Sequence, residues 1–328
     1  MIGGRDAEFR LTPDYSKSVI DVYIDTTIRY TEFRGFLDLL PTVEFHSQEL
    51  PSWVPNWEVP RRTIPLLGNY LASGRSRARV EILKIHGRGR MRVTGVFATT
   101  IESVKLFHTL TWEEVESFVP SFVENMRRMA SWIGLEGPFV HENEQFEAFC
   151  RTLSSNHFCE SYSPPGPMFP TLQQTEATIL RALDVRFSPA EVQFPGASYD
   201  AVLATVEGLY RNRCFFRTTN GQIDIGLAAV MAGDVVTILL GCHRPIILRP
   251  CQNHTYLVIG EAYCHGVMTA EALLGPLPAP FEFVSRRGHP TFMNSDTGSF
   301  QPEDPRLGQL PLPPTVSTPK SPRHPSTA

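Results

Sequence analysis

Arg213-Cys214-Phe215-Phe216-Arg217-Thr218-Thr219-Asn220-Gly221-Gln222-Ile223-Asp224-Ile225-Gly226-Leu227 reads as a strand, a tight turn and a returning strand. β-Favouring residues fill 214–218, and an Asn-Gly pair takes the positive φ angles that a short hairpin turn demands. Gly233-Asp234 then turns into 235–240, Pro245 breaks the path before 246–249, and 255–260 closes the series. About five short strands at turn-punctuated spacing predict a compact antiparallel sheet or small barrel over residues 214–260. Residues 79–85 and 91–98 read as a hairpin that extends the same sheet, with the helices between as an insertion.

Outward from that unit the chain is helical. Val115, Phe118, Val119, Phe122, Val123, Met126, Met129, Ala130 and Ile133 follow one helical face after a capping signature at Thr111-Trp112-Glu113-Glu114. Pro120 removes a backbone donor there and predicts a kink or split. Phe146, Phe149, Cys150 and Leu153 mark a second helix, residues 171–185 a third and residues 199–211 a fourth. Near the start, Ser18 caps a helix over 19–33, whose periodic residues Val19, Val22, Tyr23, Thr26, Tyr30 and Phe33 form the expected buried stripe. Pro51-Ser52-Trp53-Val54-Pro55-Asn56-Trp57 cannot be helical, because prolines flank Trp53 on both sides. It reads as a strap lining the core, or else as an exposed aromatic recognition patch. The fold class is α+β: a small antiparallel sheet packed with a helical region over 111–212, and a proline-rich tail from 286. Residues 301–328 hold eight prolines and few large apolar groups, the composition of a disordered segment. Thr318-Pro319 and Ser321-Pro322 are candidate proline-directed phosphorylation sites.

Composition narrows the function. Apolar residues make up 42% and charged residues 20% of the 328, with net charge −4, which argues against a broadly basic nucleic-acid binder. The basic run of Arg75, Arg77, Arg79, Lys84, Arg88, Arg90 and Arg92 reads as a solvated hairpin face. No apolar segment has signal-peptide or membrane-span character, and six cysteines without a Cys-x-x-Cys suit a reducing cytoplasm.

Several motifs, in order, resemble the fungal heterokaryon-incompatibility (HET domain) proteins. They are Pro13-Asp14-Tyr15-Ser16-Lys17-Ser18 with Val22-Tyr23, Leu50-Pro51-Ser52-Trp53-Val54-Pro55-Asn56-Trp57, and Tyr70-Leu71-Ala72-Ser73-Gly74. Phe149-Cys150-Arg151-Thr152-Leu153, Arg213-Cys214-Phe215-Phe216-Arg217-Thr218, Gly233-Asp234-Val235-Val236 and Pro245-Ile246-Ile247-Leu248-Arg249-Pro250 follow. Gly260-Glu261-Ala262-Tyr263-Cys264-His265-Gly266-Val267-Met268 closes the series. The resemblance spans residues 13–275. The HET domain's own signatures, such as Ser-Tyr-x-Trp-Gly and Asp-x-x-Cys-Ile-Asp-Gln, are absent, so the similarity is to the region beyond that domain. It implies non-self recognition and programmed cell death, a regulatory or protein-interaction module without the TIR-like effector, no cofactor, and a protein partner or effector domain. A non-functional truncated paralogue is the bleaker version.

Trp53, Trp57, Glu261, Tyr263 and His265 are the candidate contact residues. The competing class is a hydrolase or metal-dependent enzyme on Cys242-His243, Cys251-Gln252-Asn253-His254 and Cys264-His265. A zinc site needs four such ligands converging at about 2.0–2.3 Å, and a Cys–His pair needs the imidazole within reach of the sulfur. Neighbours on a strand point to opposite faces, which makes Cys264 with His265 a poor dyad.

Overall fold

The computed structural model describes residues 14–44, 50–66, 68–85, 88–106, 118–135, 144–189, 192 and 197–309. In chain order the elements are α1 (Val19–Arg34), β1 (Val80–Ile85), β2 (Arg88–Val93), β3 (Gly95–Leu106), α2 (Phe118–Ile133), α3 (Glu144–Leu153), β4 (Tyr162–Ser163), α4 (Leu172–Leu183) and α5 (Ala197–Tyr210). Then come β5 (Arg213–Thr218), β6 (Ile223–Leu227), β7 (Val235–Leu239), β8 (Ile246–Cys251), β9 (Thr255–Glu261), α6 (Glu271–Leu274), β10 (Phe281–Arg286), β11 (His289–Asn294) and β12 (Ser299–Gln301).

Six strands make the central sheet in the order β6-β5-β3-β7-β8-β9, every neighbouring pair antiparallel. The sheet curls until its two edges touch. Ile225 of β6 and Tyr263, just past β9, exchange both backbone hydrogen bonds at 3.0 Å. The α+β class and the small antiparallel sheet are therefore as expected, but its middle strand comes from elsewhere. β3 supplies it, lying between β5 and β7, and the β1–β2 hairpin stands apart as a two-stranded sheet. The expected strand over 91–98 is cut between β2 and β3.

Alternation along the strands sorts the core into three parts. Cys214 and Phe216 of β5 face the sheet's concave interior with Ile101, Val236, Ile247, Ile259 and Cys264. Phe215, on the other face, packs with Phe149, Tyr210 and the α2–α5 helices. Ile246 and Leu248 of β8 face outward against Leu37, Leu40, Val43 and Trp53 of the lead-in. Helices thus cover one flank of the barrel and the lead-in covers the other.

Local chemistry accounts for both ends of α1 and the start of α4. Ser18 Oγ accepts from the Asp21 N–H, Gly35 closes α1 at φ 65°, and Thr171 with Gln174 forms a complete capping box on α4. Pro120 sits in the first turn of the described α2, where a missing N–H is least costly, so no split is needed. The capping signature at 111–114 lies outside the described residues.

α1 corrects the sequence reading. Thr27 and Thr31 are buried, with Tyr23, Ile24 and Ile28 packed partly against the core. The periodic residues Val22 and Phe33 lie on the opposite, outward side and are exposed, and Val19, in the first turn, is exposed as well. Residues 286–301, expected in the tail, complete β10 and form β11 and β12, in a sheet ordered β12-β11-β10-β4. Residues 310–328, with both candidate phosphorylation sites, lie outside the described residues.

Gly241 joins the lead-in to the barrel. Its carbonyl accepts from the Leu37 N–H at 2.8 Å and its own N–H reaches Ser76 Oγ at 3.0 Å. At φ 81° a side chain there would be strained and would meet the Ala78 backbone.

Candidate functional site

Glu261 and Arg213 define one mouth of the barrel. Arg213 opens β5 and Glu261 ends β9, and both side chains are wholly buried. A bulge turns Glu261 inward. β8 and β9 lose register between Ile247 and Leu248, leaving Ile259 as the extra residue, so Val258 to Glu261 are buried in succession. Arg213 Nη2 donates to Glu261 Oε1 at 2.7 Å, Arg244 Nη1 to Oε2 at 3.1 Å and Arg61 Nη2 to Oε1 at 3.4 Å. The Leu66 N–H is the fourth donor to the carboxylate, reaching Oε1 at 3.0 Å.

This centre fastens the segment 61–66 across the barrel mouth. Arg213 Nη2 also donates to the Ile64 carbonyl at 2.9 Å and Arg244 Nη2 to the Leu66 carbonyl at 2.6 Å. Glu44 holds the same segment from its other side, accepting from the Arg62 and Thr63 N–H groups at 2.9 and 2.8 Å. Chemically the arrangement is a saturated carboxylate. Three donors meet Oε1 and one meets Oε2, guanidiniums and an amide, around a side chain that is fully buried. Sequence reasoning had marked Glu261 but missed its three arginines. The available signal was a charged residue at the end of each of two otherwise apolar strands.

Outside this mouth lies a basic cleft of about 770 Å³. The end of α1, residues 68–77, the His243-Arg244 turn and the β10–β11 turn wall it, bringing Arg34, Arg75, Arg77, Arg244, His243 and His289 together with Asp38. Asp38 answers Arg34 at 3.5 Å, and Glu261 answers Arg244. Among the described residues Arg75 and Arg77 hydrogen-bond to carbonyl oxygens alone, of Pro290 at 3.4 Å and of Arg34 at 2.8 Å. The Arg77 guanidinium lies 4.5 Å from the centre of the Phe36 ring, which in turn sits 5.3 Å from His243. Burial, opposed by Asp38 and aided by Arg244, Arg34 and Arg75, holds the His243 imidazole below its usual pKa.

The other candidates scatter. Trp53 is buried and its Nε1–H donates to the Gly89 carbonyl at 3.1 Å, which makes it the strap of the first reading. Trp57 is 46% exposed and packs edge-on against Tyr23 at 5.0 Å. Tyr263 is buried against Tyr70, with ring centres 6.1 Å apart, out of a partner's reach. His265 is half-buried, and its backbone N–H donates to Asp224 Oδ1 at 3.0 Å. Asp224 is fully buried with Oδ2 unpartnered, and burial pushes its carboxyl up to about 7 against the hydrogen bond from His265.

The late cysteines part company as well. Cys242 sits in the lead-in core and Cys264 in the barrel interior, while Cys251 is exposed. Burial pushes Cys242 up to about 12 and Cys264 well above the ordinary thiol range, so both are thiols rather than thiolates. Among the described residues no three His, Cys, Asp or Glu side chains are grouped to hold a metal ion. No helix of the described residues is long and apolar enough to cross a membrane.

The barrel strands β5–β9, with α5 and α6, fall within a segment that matches a known family. Residues 187–275 match the Het-6 beta-barrel domain. That segment is similar to the Het-6 β-barrel. A stretch of 59 residues is 37% identical to heterokaryon incompatibility protein 6, OR allele, of Neurospora crassa, covering 17% of this chain and 9% of that protein. Both likenesses are to heterokaryon-incompatibility proteins, and the matched stretch spans less than a tenth of the curated relative's length. No solved structure matches.

Proposed function

We propose that this chain is a non-enzymatic regulatory module of a HET-type incompatibility protein, acting in the cytoplasm by protein contact to restrain or trigger programmed cell death on non-self encounter. The observation that carries the reading is the outward side of α1. Val22 and Phe33 recur there at helical spacing and are exposed, Val19 in the first turn is exposed too, and Trp57, half-exposed, stands at the border of that surface against Tyr23 on the core-facing side. A helix with apolar residues on a solvent-facing side as well as its core side fits a surface that a further domain covers. Trp57 is the aromatic anchor of that surface, the residue type on which contact energy concentrates. The saturated Glu261 centre, the bulge and the capped helices supply a rigid frame behind it.

The contact is with the HET effector domain. The test is binding of this chain to a separately purified HET domain by calorimetry, repeated with Trp57→Ser and with Val19→Ser/Val22→Ser. These substitutions sit at the surface and leave the core intact. Each weakens binding by about tenfold or more on this reading. An unaltered affinity in both variants, or no association of the wild-type pair, overturns it.

A further inference from the structure

We propose that the basic cleft beside the barrel mouth binds a small molecule carrying two or more phosphate groups. This is independent of how α1 is covered. The cleft's volume of about 770 Å³ lies within the range of small-molecule sites. Its charge is one-sided: four arginines against Asp38 in a chain whose net charge is −4. Two of those charges, on Arg34 and Arg244, have carboxylate partners. Among the described residues the charges on Arg75 and Arg77 have none. They call for a ligand bearing at least two negative charges at close spacing, which a diphosphate supplies and a single carboxylate does not.

The geometry favours phosphate oxygens. Guanidinium forks pair with them through two parallel N–H donors, and such charge-assisted bonds are about twice as strong as neutral ones. Arg77 is already positioned, resting on Phe36 with one N–H fixed on the Arg34 carbonyl, so little side-chain freedom is lost on binding. Phe36, Tyr70 and His243 add ring faces on the cleft wall for an organic portion. The Nδ1 atom of His243 is buried without a hydrogen-bond partner, and the imidazole lies in the field of Arg34, Arg75 and Arg244. An anion lodged among those arginines offsets their field, so the His243 titration moves upward when the cleft fills.

The experiment uses the full chain at low ionic strength, with inorganic phosphate, pyrophosphate, ATP and an oligoglutamate peptide as probes. Calorimetry gives affinity, and histidine-ring NMR follows His243. Pyrophosphate and ATP are expected to bind and raise the His243 pKa, with inorganic phosphate weaker. Arg75→Gln/Arg77→Gln weakens pyrophosphate by about tenfold or more, whereas Arg79→Gln, outside the cleft, leaves it unchanged. If the double variant does not fold, His289→Glu, on the exposed β10–β11 turn, replaces it and weakens binding by adding a negative charge. Three results overturn the proposal: no association at millimolar pyrophosphate, affinity indifferent to the cleft variant, or oligoglutamate binding as tightly as pyrophosphate.

Discussion

Glu261→Gln removes one charge from the barrel mouth and almost nothing from its shape. Arg213 would remain at 0% side-chain exposure with its anion gone. Arg61 and Arg244 keep 26% and 22% of their side-chain surface and can turn to water. The penalty therefore falls mainly on Arg213. Breaking a buried pair from one side costs about 3–5 kcal/mol, and the smaller part of that range, about 3–4 kcal/mol, applies because the Ile64 carbonyl still accepts from Arg213. At roughly 2.1 cal/mol/K of unfolding entropy per residue, 328 residues give about 0.7 kcal/mol per kelvin, so the midpoint falls by about 4–6 °C. Arg61→Gln, at 3.4 Å and partly solvated, costs about 1 kcal/mol or less. Removing the stranded cation as well, in Arg213→Met/Glu261→Gln, leaves the chain no less stable than Glu261→Gln alone. Urea unfolding and scanning calorimetry measure all four proteins. A loss below 1 kcal/mol in Glu261→Gln, equality with Arg61→Gln, or a double variant less stable than Glu261→Gln would refute the reasoning.

Asp224 gives a pH signature. Its carboxyl titrates near 3.8 when unfolded and at about 7 when folded, so its contribution is full below pH 4 and is lost as pH rises towards and through 7. Asp224→Asn should flatten that decline and gain most over wild type near pH 8, by a few kcal/mol at about 1.4 kcal/mol per pKa unit, read from urea midpoints across pH; parallel curves for the two proteins would remove Asp224 as the cause. Thiol labelling offers a second check. Cys251 is exposed while Cys150, Cys214, Cys242 and Cys264 are buried, with pKa values raised by burial. Iodoacetamide should modify Cys251 fastest, with the half-buried Cys159 behind it; Cys251→Ser should abolish the fastest phase, and a buried thiol labelling as fast would contradict the packing.

The strands were readable where turn chemistry punctuates them. Asn220-Gly221, Gly233-Asp234 and Pro245 separate β5 to β8 much as the sequence indicates. β3 was not, because Gly95–Leu106 carries polar and apolar residues without clean alternation, bends at two register shifts and pairs with partners far along the chain. α1 misled for another reason: periodicity reports an apolar stripe but not which way the helix turns it, and Thr27 and Thr31 took the core side. The carboxylate centre was half legible. Glu261 stands out in the sequence as one of a short run of polar residues with Tyr263 and His265, whereas Arg61, Arg213 and Arg244 lie 200, 48 and 17 residues from it and meet it only through the fold. The basic run suggested a solvated face. Arg75 and Arg77 leave that face because Gly241 and Ser76 pin their segment beside His243.

The placement of β3 bears on where this domain begins. Residues 187–275 hold five of the six barrel staves and omit the one that stands between β5 and β7. A fragment cut at those limits would present two naked strand edges, with unsatisfied peptide groups along each, and such edges invite pairing between molecules. The smallest self-sufficient piece must therefore reach back past Gly95 and carry the whole helical loop between, so the helices are bound to travel with the barrel they interrupt.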